Sequence, residues 1–132
     1  MVKPMVKSIA TRRGFTLIEL LVVMAIVATL LSIAVPRYYG SVKRAEEATL
    51  KQNLALLRDA IDKYYADTGR YPDALEELAT KRYLRSVPQD PLTGANDTWV
   101  PAPPPEPELG RVYDVRSGSQ AQALDGSAFN TW

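Results

Sequence analysis

The sequence predicts an α+β protein: one long N-terminal helix, apolar in its first half and amphipathic in its second, packed on a small antiparallel β-sheet head. Three observations carry that prediction. Residues 15–35 are apolar apart from Thr16, Glu19, Thr29 and Ser32. After Pro36 the apolar residues recur every three to four positions, the period of a helix with one buried face. Beyond Gly69 the chain breaks into short runs separated by Pro, Gly, Asn and Asp, the composition of turns joining brief elements.

At 1.5 Å per residue a helix over residues 15–35 reaches about 30 Å, the thickness of a bilayer's hydrocarbon core. Lys3, Lys7, Arg12 and Arg13 precede it with no acidic residue among them. A flank of that sign stays on the cytoplasmic side and sends the rest of the chain outward. The apolar run is longer than the 7 to 15 residues or so of a removable secretory signal, and it passes directly into a second helical pattern. An ordinary uncleaved anchor fits the length, but it requires neither a carboxylate in the span nor a sharp "RRGF" junction.

In the second half, Val42, Ala45, Thr49, Leu50, Leu54, Leu57, Ile61 and Tyr64 form an apolar stripe, and charged residues fill the other positions. The C-terminal part of the chain is the only segment available to cover it. Gly69 is placed to stop the helix, which gives one helix of about 50 residues. Pro36 removes the N–H that the Ser32 carbonyl would accept, so a kink or unwound stretch is expected there, either as a tolerated interfacial bend or as a hinge.

The head follows in small pieces. In "RYPDALEELATKRYL", Asp73 stands as a helix cap with Glu76 three residues on, and Leu75 and Leu78 point one way. "VPQDPLTGANDTW" is turn chemistry leading into a strand at Trp99 and Val100. "PAPPPEPELG" is a proline-rich loop unfit for a central strand. "RVYDVRS" is the best strand, with Tyr113 and Val115 on one face.

The chain has 132 residues, a formal net charge of +1, no cysteine and no histidine. Disulfides, thiolate or imidazole metal sites, and Ser-His-Asp or Cys-His catalysis are therefore absent. Asp62, Asp67, Asp73, Glu76 and Glu77 are carboxylates on helical faces with no cleft implied, and no GxxxxGK[ST] phosphate loop is present. An enzyme is not expected. Lys81, Arg82, Tyr83 and Arg85 make one small basic-aromatic patch, read more simply as a helix end than as a nucleic-acid site.

Glu19 is the residue that a plain span does not explain. At the centre of a membrane helix an acid costs about 2.5 to 3.5 kcal/mol, and less near an end. "GFTLIELLVVMAIVA", with the basic leader before it and Pro36 closing the span, resembles the processing and assembly motif of type IV pilins and of the pseudopilins of type II secretion. The order of elements in the head is most similar to the major pseudopilin, through "TGRYPDALEELATKRYLRSVPQDPLTG" and "YDVRSGS…DGSAFNTW". The insert at residues 101–107 departs from that pattern.

The resemblance implies a pilin-like fold divided into a leader at 1–14, a transmembrane and assembly helix at 15–35 and a periplasmic head at 36–132. It implies cleavage between Gly14 and Phe15 by a membrane-embedded prepilin peptidase and N-methylation of Phe15. Cleavage creates an amine with an ordinary pKa near 7.7 to 8, and Glu19 of one subunit would pair with the Phe15 amine of the next, with Pro36 at the end of the span as a further assembly residue. A head-to-tail contact that does not close generates a helical filament. Implied partners are further copies of the chain, minor pseudopilins, an inner-membrane assembly platform and a separate secretion ATPase. The expected place is the inner membrane, single-pass, with the N-terminus cytoplasmic. A type IV pilin for adhesion, motility or DNA uptake is the alternative.

The resemblance also implies calcium (Ca2+) in the terminal loop. A hard cation takes six to eight oxygens, and Asp125, Ser117, Ser119, Ser127 and Asp114 are the side chains available, although the loop is poor in acid. A polar turn without metal is the competing reading.

Overall fold

The computed structural model describes Pro4 and residues 14–132; the leader cations Lys3, Lys7, Arg12 and Arg13 lie outside that set. The chain divides into two compact units, the first ending at Tyr38 and the second running from Tyr39 to Trp132. Helix α1, Leu17–Thr68, is 52 residues long and enters both.

In the first unit, Leu17, Ile18, Leu21, Met24, Leu30 and Ile33 are all exposed, and the segment is long and apolar enough to cross a membrane. Thr29 and Ser32 turn their hydroxyls inward on the helix. Thr29 Oγ1 donates to the Ala25 carbonyl at 2.8 Å and Ser32 Oγ to the Thr29 carbonyl at 2.6 Å. Neither hydroxyl then confronts lipid unpaired. The helix continues without a break through Pro36, so the expected unwound stretch is not there. Proline removes one ladder bond, and uninterrupted turns on both sides hold the dihedrals across that gap.

In the second unit, Leu50, Leu54, Leu57, Ala60, Ile61 and Tyr64 of α1 are buried. Ala45 and Thr49, predicted for the same stripe, are exposed, because the buried face begins only at Leu50. The helix stops where predicted. Gly69 takes φ +73 and its N–H donates to the Tyr65 carbonyl at 2.7 Å, a left-handed terminus that glycine adopts without a Cβ penalty.

Helix α2, Leu75–Thr80, buries Leu75 and Leu78 as expected. Its cap differs from the prediction. Ala74 is the N-cap and makes no side-chain cap bond; instead Glu77 Oε2 reaches back and accepts the Asp73 N–H at 2.9 Å.

The sheet is minimal: β1, Val100–Ala102, pairs antiparallel with β2, Asp114–Arg116, in the register Val100 with Arg116 and Ala102 with Asp114. Pro101 sits inside β1, which a two-stranded sheet permits because every strand in it is an edge. Val115 is buried while Tyr113 is 46 % exposed, so these two do not share a face as predicted. Val112 takes the core position, and Tyr113 packs its ring edge-on against Tyr71 at 5.1 Å. One core cluster joins the α1 stripe with Leu75, Leu78, Leu84, Trp99, Val112, Val115, Ala123 and Phe129. The Trp99 indole N–H, carried into that core, donates to the Pro88 carbonyl at 2.8 Å.

Candidate functional site

Two places hold the residues singled out from the sequence. The first is the start of α1. Residues 14–16 precede the first helical residue, so the Gly14–Phe15 bond lies outside the helix, and the Phe15 side chain is 95 % exposed. A helix leaves its first N–H groups without internal partners. Here Thr16 and Glu19 satisfy them reciprocally: the Thr16 N–H donates to Glu19 Oε2 and the Glu19 N–H to Thr16 Oγ1, both at 3.2 Å. This is a capping box, written in the sequence as Thr-x-x-Glu and not recognised there because the glutamate stood inside an apolar run. The box engages one carboxylate oxygen. A carboxylate offers about four lone-pair sites, so Glu19 keeps acceptor capacity for a further donor.

The second place is the terminal segment. Ser117 and Ser119 are buried, and so is Asp90, a turn residue of "QDPLTG". Ser117 Oγ donates to Asp90 Oδ2 and accepts the Ser119 N–H at 3.2 Å. Asp90 Oδ1 accepts the Leu92 N–H at 2.9 Å, so this aspartate ties the Asp-Pro turn to the strand end. Asp125 is exposed and closes its own turn, accepting from the Ser127 N–H at 2.9 Å and the Ser127 hydroxyl at 2.6 Å. Those bonds to Ser127, chiefly the hydroxyl's, hold its carboxyl below the usual range. Asp114 faces Arg58 of α1, whose Nε lies 2.8 Å from Asp114 Oδ1.

Three of the other charged residues serve the packing of the head. Asp67 accepts the Tyr83 hydroxyl at 2.7 Å, Glu77 the Tyr64 hydroxyl at 2.9 Å, and Lys81 stands 3.4 Å from Glu77. The basic-aromatic patch around Tyr83 is thus partly neutralised by its own neighbours.

Residues 9–35 match the family model described as the prokaryotic N-terminal methylation motif. The chain is 33 % identical over 135 residues to the type II secretion system core protein G of Aeromonas hydrophila, covering 90 % of this chain and 91 % of that one. It is 34 % identical over 100 residues to the protein of the same name from Klebsiella michiganensis, covering 64 % of this chain and 70 % of that one. The chain belongs to the type II secretion system core protein G family. The type IV major pilin protein PilA of Myxococcus xanthus is also similar, 38 % identical over 66 residues, covering 50 % of this chain and 30 % of that one. No solved structure gives a significant match.

For a member of the core protein G family, the methylation motif takes in the Gly14–Phe15 bond, the capping box and Glu19 together, while the match to the Aeromonas relative continues through the head. Calcium ligation was expected of Asp114, Ser117, Ser119, Asp125 and Ser127. Each already has an internal bond: Asp114 Oδ1 with Arg58, Ser117 with Asp90, Ser119 with the Ala121 N–H at 3.2 Å, and Asp125 Oδ1 with Ser127. Among the described residues no three carboxylates gather into a group able to hold a metal ion. Of these five donors only Asp114 and Asp125 carry charge, and Asp114 is already paired with Arg58.

Proposed function

We propose that the chain is a structural subunit of a type II secretion pseudopilus, a helical filament anchored at the inner membrane that helps drive protein export. The observation that carries this reading is continuity. A single relative named for type II secretion aligns over nine-tenths of the chain, and the methylation motif aligns over the start of the same helix. The subunit is held with its N-terminus in the cytoplasm and its head in the periplasm, as the basic flank requires. A prepilin peptidase cuts between Gly14 and Phe15 and Phe15 is methylated, which preserves the positive charge of the new amine. Minor pseudopilins, an assembly platform and a separate ATPase complete the machine; the chain has no phosphate loop with which to drive it.

Mass spectrometry of the protein from its native membrane tests the processing directly. The expected chain begins at Phe15 and carries one additional methyl group, and a chain that keeps Met1 in processing-competent cells would return it to a plain anchor. Deletion tests the role. Loss of secreted enzymes from the medium supports export, whereas loss of surface pili or twitching with secretion intact supports the second reading, a type IV pilus subunit, which the similarity to the Myxococcus pilin favours.

A further inference from the structure

We infer that Arg58 closes the terminal segment of the head as a built-in cation, and that this head folds and keeps its last strand in place without calcium. Arg58 lies on the amphipathic half of α1, and three oxygens from distant parts of the chain converge on its guanidinium. Its Nε donates to Asp114 Oδ1 at 2.8 Å, and its Nη2 donates to the Val115 carbonyl at 3.1 Å and to the main-chain oxygen of Trp132 at 2.7 Å. A side-chain carboxylate oxygen and two main-chain oxygens, drawn from β2 and from Trp132, are the kinds of oxygen that a divalent ion would gather from such a loop. A guanidinium presents five N–H donors in a rigid plane, so it can hold several oxygens at fixed angles.

The far end of this clamp is fixed independently. Trp132 donates its indole N–H to Ser127 Oγ at 2.8 Å and sets its ring edge-on to Phe129 at 5.0 Å. Lys51, two turns before Arg58 on α1, lies over the same ring at 4.8 Å. A bound calcium ion would therefore have to take Asp114 from a guanidinium in direct contact with it. At Asp125 it would meet a carboxylate whose Oδ1 already accepts twice from Ser127, and it would sit near the positive charge of Lys51, which opposes it. Arg58 and the cation are alternatives. Asp90 and Ser117 hold the end of β2 with a buried bond that needs no metal.

The test uses the full chain in detergent micelles, with unfolding followed by tryptophan fluorescence in a chelator and in millimolar calcium. The expected melting temperature agrees within about 1 °C between the two conditions, since a ligand that does not bind the folded state does not shift it. Arg58→Met is expected to lower it by about 5 to 10 °C in both, given about 4 to 8 °C per kcal/mol for a domain of this size, and to speed tryptic cleavage at Arg116. Arg58→Lys, which keeps the charge and loses the fork, should fall between.

If Arg58→Met does not fold, Asp114→Asn carries the question. As a partner of Arg58 it loses stability equally with and without calcium; as a metal ligand it abolishes a calcium response that the parent chain shows. A rise of more than about 5 °C on adding calcium to the parent chain would overturn the inference, since a specific site filled well above its dissociation constant gives a shift of that order. So would full protease resistance in Arg58→Met. Neither result bears on filament assembly, so the export reading stands or falls separately.

Discussion

A single methyl group is too large for two positions in the head. A Cβ at Gly118 would lie 2.0 Å from the Thr98 carbonyl oxygen, and one at Gly110 would lie 2.2 Å from that of Tyr71, with φ at +131 there adding backbone strain. Both clashes are with main chain, which cannot rotate away as a side chain does. Gly118→Ala and Gly110→Ala should each destabilise the protein by about 2 to 4 kcal/mol, at or above the usual cost of overpacking. Gly94→Ala is the control: it has φ +72 but open space around it, so about 1 kcal/mol of conformational strain is all it should lose. Thermal unfolding of the three variants in the same detergent decides this, and equal losses at Gly94 and Gly118 would mean that the close approach is not what the glycine serves.

Helix α2 shows how an element's start depends on residues far away in sequence. The Tyr71 N–H donates to the Leu109 carbonyl at 2.6 Å, and the Val112 N–H to that of Pro72 at 2.9 Å. This pairing keeps the chain extended past Asp73, so the helix opens two residues after the predicted cap, and Glu77 supplies the reciprocal bond instead. Glu77 is held below the usual carboxylate range, first by the Asp73 N–H, against opposing burial, with Tyr64 and Lys81 adding to the lowering. A depressed folded-state pKa stabilises above the ordinary value and is lost as pH falls through the folded one. Glu77→Gln should therefore lose about 1 kcal/mol near neutrality, and its stability should decline less steeply than the parent's once pH drops below about 4.5. Parallel stability curves for the two proteins through that acid range would exclude the role. Local signals set most of the elements: the span, the stripe from Leu50 to Tyr64 and the stop at Gly69 each follow from residues within a turn or two. What could not be read was long-range. Tyr113 alternates with Val115 in sequence, yet β2 begins only at Asp114, and Arg58 looks like one more solvated charge until residues 114, 115 and 132 meet it.

At the scale of the whole molecule, the first unit presents apolar side chains that are exposed among the described residues, and one carboxylate near the start of the span. Lipid or neighbouring helices must surround it. The motif there was legible because its parts are contiguous: Gly14, Phe15 and Glu19 lie within six residues, inside the matched methylation motif, whereas the part of Glu19 in a capping box required the Thr16 geometry. In a mature filament the Phe15 amine would be a cation in an apolar setting, a group that costs about 2.5 to 3.5 kcal/mol when unpaired at mid-membrane. Glu19→Val removes the partner proposed for it and makes the span more apolar, so insertion and cleavage should proceed. Subunit addition should weaken by roughly ten- to a hundredfold, the equivalent of about 1.4 to 2.8 kcal/mol. Thr16→Val separates the two roles, since it breaks the cap, at a loss of about 1 kcal/mol to the helix start, but leaves the carboxylate available to a neighbour's amine. Counting cleaved, membrane-inserted and filament-incorporated chains for each variant should therefore show normal cleavage in both and severe loss of filaments in Glu19→Val alone. Normal filaments in Glu19→Val would sink the pairing between subunits, and equal loss in Thr16→Val would assign the defect to the cap.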